Sequence, residues 1–400
     1  MITAIINGKL LTPFRCVENA GLLIEDGKIL QLLESEGSHE AKPSAGIERV
    51  IDAKGAYVSP GFVDIHNHGG GGFEFLDGTL EAFEGAGSYH MLHGATAIAP
   101  TISACIDEEM FAVFDTFKQV KKTKKGGPDF FGIHLEGPYF SLEQKGAQDP
   151  RFIKNPSPEH YLKILNHSND IVRWSSAPEL PGALELAGEL GRRGIVCAIG
   201  HSDAVYQEIV RAFERGYTHV THLYSGCSLL RRINAFRFMG VVESAFAIDN
   251  MTVEIIADGK HLPPELLKLI VKLKPLDKIC LITDSMRCAG KPEGSIQYTG
   301  TRENGMEVLI EDGVAKLPDR SAFAGSIATA DRLIKNMRDL AGLPLLDAVR
   351  LMTYNPASVM HIQNKKGVLA PGKDADICIF DDDINIKAVF VGGEMTVDKL

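Results

Sequence analysis

Asp64-Ile65-His66-Asn67-His68-Gly69 sets two imidazoles two residues apart. In an extended strand, residues i and i+2 project to the same side, so both rings can reach one ion. Such a pair alone also occurs in ordinary turns, and it gains weight from Glu136, His201 and His222, each of which closes a separate short apolar run. Nitrogen donors joined by one carboxylate suit Zn2+ or Fe2+ better than Mg2+ or Ca2+, which favour oxygen shells. Asp284 closes a further run, Ile282-Thr283-Asp284-Ser285. There it can accept a proton from a water whose pKa a bound ion has lowered. It could equally cap a following helix, but sharing its strand-end position with the ligands favours the chemical role. The chemistry these residue types imply is hydrolysis assisted by a metal ion.

Elements of fixed geometry must bring such scattered groups together. Eight short apolar runs, at 62–66, 95–100, 131–136, 172–178, 195–201, 219–222, 253–258 and 279–284, alternate with segments of helical spacing. That alternation implies βαβ units and a parallel sheet, and eight units imply an α/β fold of the (β/α)8 barrel type, with a doubly wound sheet as the alternative. His66, His68, Glu136, His201, His222, Asp258 and Asp284 all sit at or just beyond the C-terminal ends of these strands, the face on which barrels build active sites. His219 lies three residues before His222, so strand parity puts it on the opposite face, in a structural role. His134 shares the Glu136 face and can support a ligand. Gly69–Gly72 lacks the pattern of a phosphate loop and reads as a tight turn beside the His pair.

The two ends read differently. Asn7-Gly8, Asp26-Gly27 and Gly392-Gly393 are hairpin signals among short β-type runs. Neither end carries enough apolar surface for its own core, so both are expected to share one small composite β-sandwich domain. The resulting organisation is 1–57 and 363–400 for the composite domain, with 58–362 for the barrel.

Hydrophobic residues make up 44% and charged residues 24% of 400, an ordinary globular composition with room for a large core. The formal charge of −10 opposes attraction to phosphate backbones or anionic lipid, so neither nucleic acid nor a membrane is expected as a partner. Seven scattered cysteines without a C-x-x-C pair suit reduced thiols and a cytoplasmic location. The run Lys121-Lys122-Thr123-Lys124-Lys125 reads as a solvated helix end, and His39, His90, His93, His160, His167 and His361 carry no assigned chemistry.

With H-x-H closing strand one, single histidines closing strands five and six, and Asp closing strand eight, the chain resembles the amidohydrolase superfamily. Within it, His134-Leu135-Glu136-Gly137-Pro138 is similar to the N-acetylglucosamine-6-phosphate deacetylase family, which has Glu where other branches use a carboxylated Lys. The resemblance runs on through Lys145-Gly146-Ala147, Ile199-Gly200-His201-Ser202, Thr221-His222-Leu223-Tyr224, 256–261, 281–284 and Ala324-Gly325-Ser326. It implies deacetylation of an N-acetyl amino sugar, N-acetylglucosamine 6-phosphate foremost. Another N-acetylhexosamine, phosphorylated or not, or a cyclic amide or amine substrate of the superfamily, are the alternatives. It implies that Glu136, His201 and His222 hold a catalytic ion, that His66 and His68 can add a second one bridged by Glu136, and that Asp284 is general base and then acid. Ala147, Gln148, Ser225, Gly226, His261, Phe323, Ala324 and Gly325 would meet the substrate. Gln148 stands where the family has a His that polarises the acetyl carbonyl, and Ser225-Gly226 where it has Asn-Ala. The family's phosphate-binding Arg reaches across a homodimer. Arg231 and Arg232 lie near its place, followed by a segment that departs from the family pattern.

Overall fold

The computed structural model describes residues 2–34, 46–123, 126–301 and 304–400; Met1, His39, Lys124 and Lys125 lie outside the described residues. At its centre are eight parallel strands that coincide with the eight apolar runs: β1 (Phe62–Asn67), β2 (Ala95–Ile102), β3 (Ile133–Glu136), β4 (Ile171–Ser176), β5 (Val196–Ile199), β6 (Tyr217–Val220), β7 (Thr252–Ile255) and β8 (Ile279–Leu281). Each pairs with the next in chain order. Nearly every strand position is buried, as expected for strands covered inside by barrel side chains and outside by helices. A two-residue strand, Asp129–Phe130, pairs parallel with Ala97 and Ile98 of β2 just ahead of β3.

The barrel closes between β8 and β1 through single contacts instead of a ladder. The Asp284 amide donates to the His66 carbonyl at 2.9 Å, and the buried Asp64 carboxylate accepts from the Thr283 hydroxyl at 2.6 Å and from its amide at 3.2 Å. This seam directly precedes Asp284. It therefore fixes the end of β8 against the His pair on β1.

Helices cover the outside because their apolar residues recur on one face. In Ala330–Asp339 the buried set is Ala330, Leu333, Ile334 and Met337. The helix Leu80–Met91 starts at Thr79, whose hydroxyl accepts from the Ala82 amide, and Pro158–His167 starts at Ser157 in the same way.

Both chain ends enter one eight-stranded sheet, joined where Tyr57–Pro60 pairs antiparallel with Ile377–Phe380. Ile5, Leu22, Val58, Ile379 and Phe390 are part of its own apolar cluster. Asp26-Gly27 and Gly392-Gly393 turn hairpins with positive φ at both central residues. Asn7-Gly8 does not. It lies inside the strand Ile2–Leu11, where the register slips at Gly8. The reason is the close approach of Val58: a Cβ on Gly8 would meet it at 2.6 Å, so the glycine admits a neighbour instead of reversing the chain.

A further sheet stands outside the strand–helix alternation. After β8, the strands Ile296–Thr299, Met306–Glu311 and Val314–Lys316 form a separate antiparallel sheet that leans over the barrel mouth. Arg287 anchors it, bonding the Gly300 carbonyl at 2.8 Å while pairing with Glu74 and Asp77.

Candidate active site

The strand ends place His66 and His68 side by side, Nε2 to Nε2 at 3.3 Å. Glu136 lies between them and the next two histidines. Its Oε1 is 3.6 Å from His66 Nε2, 3.2 Å from His201 Nε2 and 2.9 Å from His222 Nε2, and its Oε2 is 3.4 Å from His68 Nε2. Two triads result, His66/His68/Glu136 and Glu136/His201/His222, each with its ligating atoms within 4.8 Å of one another and all residues buried. Ligands about 2.0–2.2 Å from a tetrahedral ion are themselves roughly 3.3 Å apart, so these spacings fit a divalent cation.

The histidine tautomers fit as well. Nδ1 of His201 lies 2.8 Å from the Gln144 carbonyl and Nδ1 of His222 lies 2.9 Å from the Ser225 carbonyl. A carbonyl can only accept, so both Nδ1 atoms carry the proton and both Nε2 atoms face Glu136. The cluster favours positive charge between its carboxylates. Burial opposes the imidazolium of His68, but hydrogen bonds to Asp284 and Glu136 carry its pKa up to about 10. Burial would raise the Glu136 carboxyl, yet the charge on His66 and hydrogen bonds from His201, His222 and His68 hold it well below the usual range. A site built to stabilise protons there is one that a divalent cation can occupy in their place.

Asp284 completes the group, with Oδ1 3.3 Å from His66 Nε2 and 3.2 Å from His68 Nε2. His201, His222 and Asp284 have φ of 49°, 29° and 47°. Each follows its strand by two or three residues, and the left-handed turn swings the side chain inward over the barrel mouth. This also corrects the expectation for His219. Strand β6 ends at Val220 and the turn at His222 breaks the parity, so both histidines point into the barrel; His219 Nε2 is 3.3 Å from Glu254.

Over the rim opens a cavity of about 270 Å³, lined among others by Ala147, Gln148, Ser225, Gly226, His261, Phe323, Ala324 and Gly325, with Glu136, His201, His222 and Asp284 at one end. Asp258 positions His261, accepting at 2.8 Å from its ring nitrogen and its amide, and Phe323 packs on that ring at 4.6 Å. Gln148 braces the site. Its amide nitrogen donates to Glu136 Oε2 at 2.7 Å, and its oxygen accepts from the Ala104 amide at 3.1 Å. Arg231 and Arg232 are not among the lining residues. They lie on a hairpin, Arg231–Ile233 with Phe236–Phe238, and Arg231 is drawn aside by Asp203, whose carboxylate and carbonyl it binds.

The sequence reading missed Glu254 and Arg173, both fully buried beneath the triads and paired with each other. The available signal was a charge at the second position of each of two apolar runs, 172–178 and 253–258. It also missed the pocket residues Thr299, Gly300, Thr301, Asn304 and Met306 supplied by the small sheet after β8.

Comparison with known proteins agrees with this geometry. The amidohydrolase family model matches residues 57–398. The N-acetylglucosamine-6-phosphate deacetylase of Lysinibacillus sphaericus is 28% identical over 95% of this chain and 94% of its own length. The N-acetylgalactosamine-6-phosphate deacetylase of Escherichia coli O157:H7 is also 28% identical, over 97% of both chains. The crystal structure of N-acetylglucosamine-6-phosphate deacetylase from Pasteurella multocida superposes with a TM-score of 0.90 at 27% identity, covering 100% of both chains. With a family match spanning the barrel and the C-terminal strands, the chain belongs to the amidohydrolase family of enzymes.

Proposed function

We propose that the protein hydrolyses the acetamide of an N-acetylhexosamine 6-phosphate, N-acetylglucosamine 6-phosphate first, to acetate and the free amino sugar phosphate. The observation that carries this reading is the pair of triads sharing Glu136, with Asp284 Oδ1 3.2 Å from His68 Nε2, at one end of a cavity sized for a single sugar. The full-length relatives support it. N-acetylgalactosamine 6-phosphate is the second reading, supported by the Escherichia coli relative, which is 28% identical, as is the Lysinibacillus sphaericus enzyme.

In this reading Glu136, His201 and His222 would hold one Zn2+ or Fe2+, and His66 and His68 with Glu136 would hold a second. A cation held there would supply Lewis acidity to the acetyl carbonyl and lower the pKa of the attacking water. Asp284 takes the proton of that water on Oδ1 and returns it to the departing amine nitrogen. Gln148 keeps Glu136 in place, since its amide is committed to Glu136 and Ala104. His261, braced by Asp258, and Phe323 face the sugar. Exposed Leu229, Leu230, Ile233 and Phe236 around the Arg231–Phe238 hairpin support a homodimer that buries them, with Arg231 or Arg232 serving a second copy's substrate anion. The seven cysteines are all unpaired, which supports a cytoplasmic location.

The test is acetate release from N-acetylglucosamine and N-acetylgalactosamine, each with and without the 6-phosphate. One of the two phosphorylated sugars should turn over fastest. If none of the four releases acetate while cyclic amides or amines are hydrolysed, the deacetylase reading fails.

A further inference from the structure

Beneath the two triads lies a charged pair that a (β/α)8 interior would ordinarily fill with branched apolar side chains. Glu254 on β7 and Arg173 on β4 are both completely buried and bonded to each other through Glu254 Oε1 and Arg173 Nη1. Burying an ion pair costs several kcal/mol per charge in desolvation, and apolar residues of the same size are often as stable or more so, so the pair calls for a use other than stability. Its contacts point to one. Glu254 Oε2 lies 3.2 Å from Nδ1 of His66 and accepts the backbone N–H of His222 at 3.3 Å. A single carboxylate oxygen thus touches a ligand of each triad.

Arg173 fixes the carboxylate in turn. Its Nη1 also donates to the Ile65 carbonyl at 3.2 Å, one residue before His66. Its Nη2 donates to the Thr221 hydroxyl at 2.9 Å, one residue before His222. Thr221 Oγ1 meets Ser175 Oγ at 2.8 Å, and Ser175 Oγ meets His134 Nε2 at 2.7 Å, extending the brace to the strand that carries Glu136. The pair therefore reaches the backbone or ring of β1, β3 and β6 from one point on the barrel axis.

We infer that Glu254, clamped by Arg173, is the positioning residue for the metal ligands. It holds the proton of His66 on Nδ1, which turns the Nε2 lone pair toward Glu136 and His68, and it ties the His222 backbone to the same anchor. This rests on the metal-dependent reading above and deepens it. The effect is predicted to be unequal, because His66 is oriented through its ring whereas His222 keeps its Ser225 carbonyl. Losing such a carboxylate partner costs about 10–100-fold in metal affinity.

The experiment is an equilibrium titration of the full-length protein with Zn2+ against a chromophoric chelator, comparing wild type, Glu254→Gln and the double variant Arg173→Met/Glu254→Met, with thermal unfolding of each. The double variant removes both charges at once and leaves no unpaired one, so it keeps a folded comparison even if Glu254→Gln does not fold. We expect two Zn2+ equivalents in wild type, with one weakened about 10–100-fold and the other much less in either variant. Wild-type affinity for both equivalents in the double variant would overturn the inference. So would equal weakening of both. Absence of Zn2+ binding by the wild type would instead end the metal-dependent reading itself.

Discussion

Asp284 touches His66 and His68 through one carboxylate oxygen, and the proton-transfer role assigned to it separates from ligation by substitution. Asp284→Asn should keep Zn2+ in the Glu136/His201/His222 triad while kcat falls by about 10²–10⁴, because the amide cannot accept the proton of water. Metal content by elemental analysis and kcat by acetate release check this together. Gln148→Ala should lower kcat with little change in KM, since its amide holds Glu136; a rise in KM alone would make it a substrate contact instead. At this scale the residues that meet at the barrel mouth were legible, because His, Glu and Asp at strand ends announce themselves by type and position. Glu254 and Arg173 were not, although each is a visible charge in an apolar run. Their meaning depends on which strands face each other across the barrel axis, and linear sequence does not contain that distance.

The seam between β8 and β1 is the element that sets Asp284 against the His pair. Asp64, buried, accepts from the Thr283 hydroxyl at 2.6 Å and from Asn67 Nδ2 at 2.9 Å. Thr283→Val keeps the shape and removes the hydroxyl, so the carboxylate loses a partner at a cost of about 1–3 kcal/mol. The expected result is a lower unfolding midpoint and a lower kcat with metal content retained, measured by denaturant titration and the same acetate assay. An unchanged kcat would detach the seam from catalysis. The eight strands were readable because apolar runs alternate with helical spacing. The small sheet after β8 was not, since Ile296–Thr299 and Met306–Glu311 are short and polar on one side and interrupt the barrel's rhythm. Asn7-Gly8 misled for a related reason: the pair that favours a hairpin also suits a slip in register, and only the approach of Val58 decides between them.

Across the whole molecule, barrel and terminal sheet meet at Lys366, whose Nζ pairs with Asp129 at 3.0 Å, Asp374 at 3.1 Å and Asp376 at 2.5 Å. Burial opposes the ammonium, but Asp376, Asp129 and Asp374 override it and raise its pKa above the ordinary 10.5. A lysine whose folded pKa exceeds its unfolded one stabilises fully below about 10.5, and that contribution fades as pH rises through the folded value. Lys366→Met should therefore cost about 3–5 kcal/mol at pH 7, with the deficit narrowing only in strong alkali; unfolding titrations at pH 7 and pH 11 measure it. That both termini build one sheet was legible, since neither end had the apolar surface to stand alone. The lysine that joins it to the barrel was not, because its partners come from sequence positions on either side of the barrel helices. The central claim, that this barrel deacetylates a sugar phosphate with a divalent cation held by Glu136 and its histidines, is tested most directly by removing and restoring the metal. Chelation should abolish acetate release from the better of N-acetylglucosamine 6-phosphate and N-acetylgalactosamine 6-phosphate, and Zn2+ or Fe2+ should restore it in proportion to metal bound; acetate release that survives complete metal removal would contradict the account.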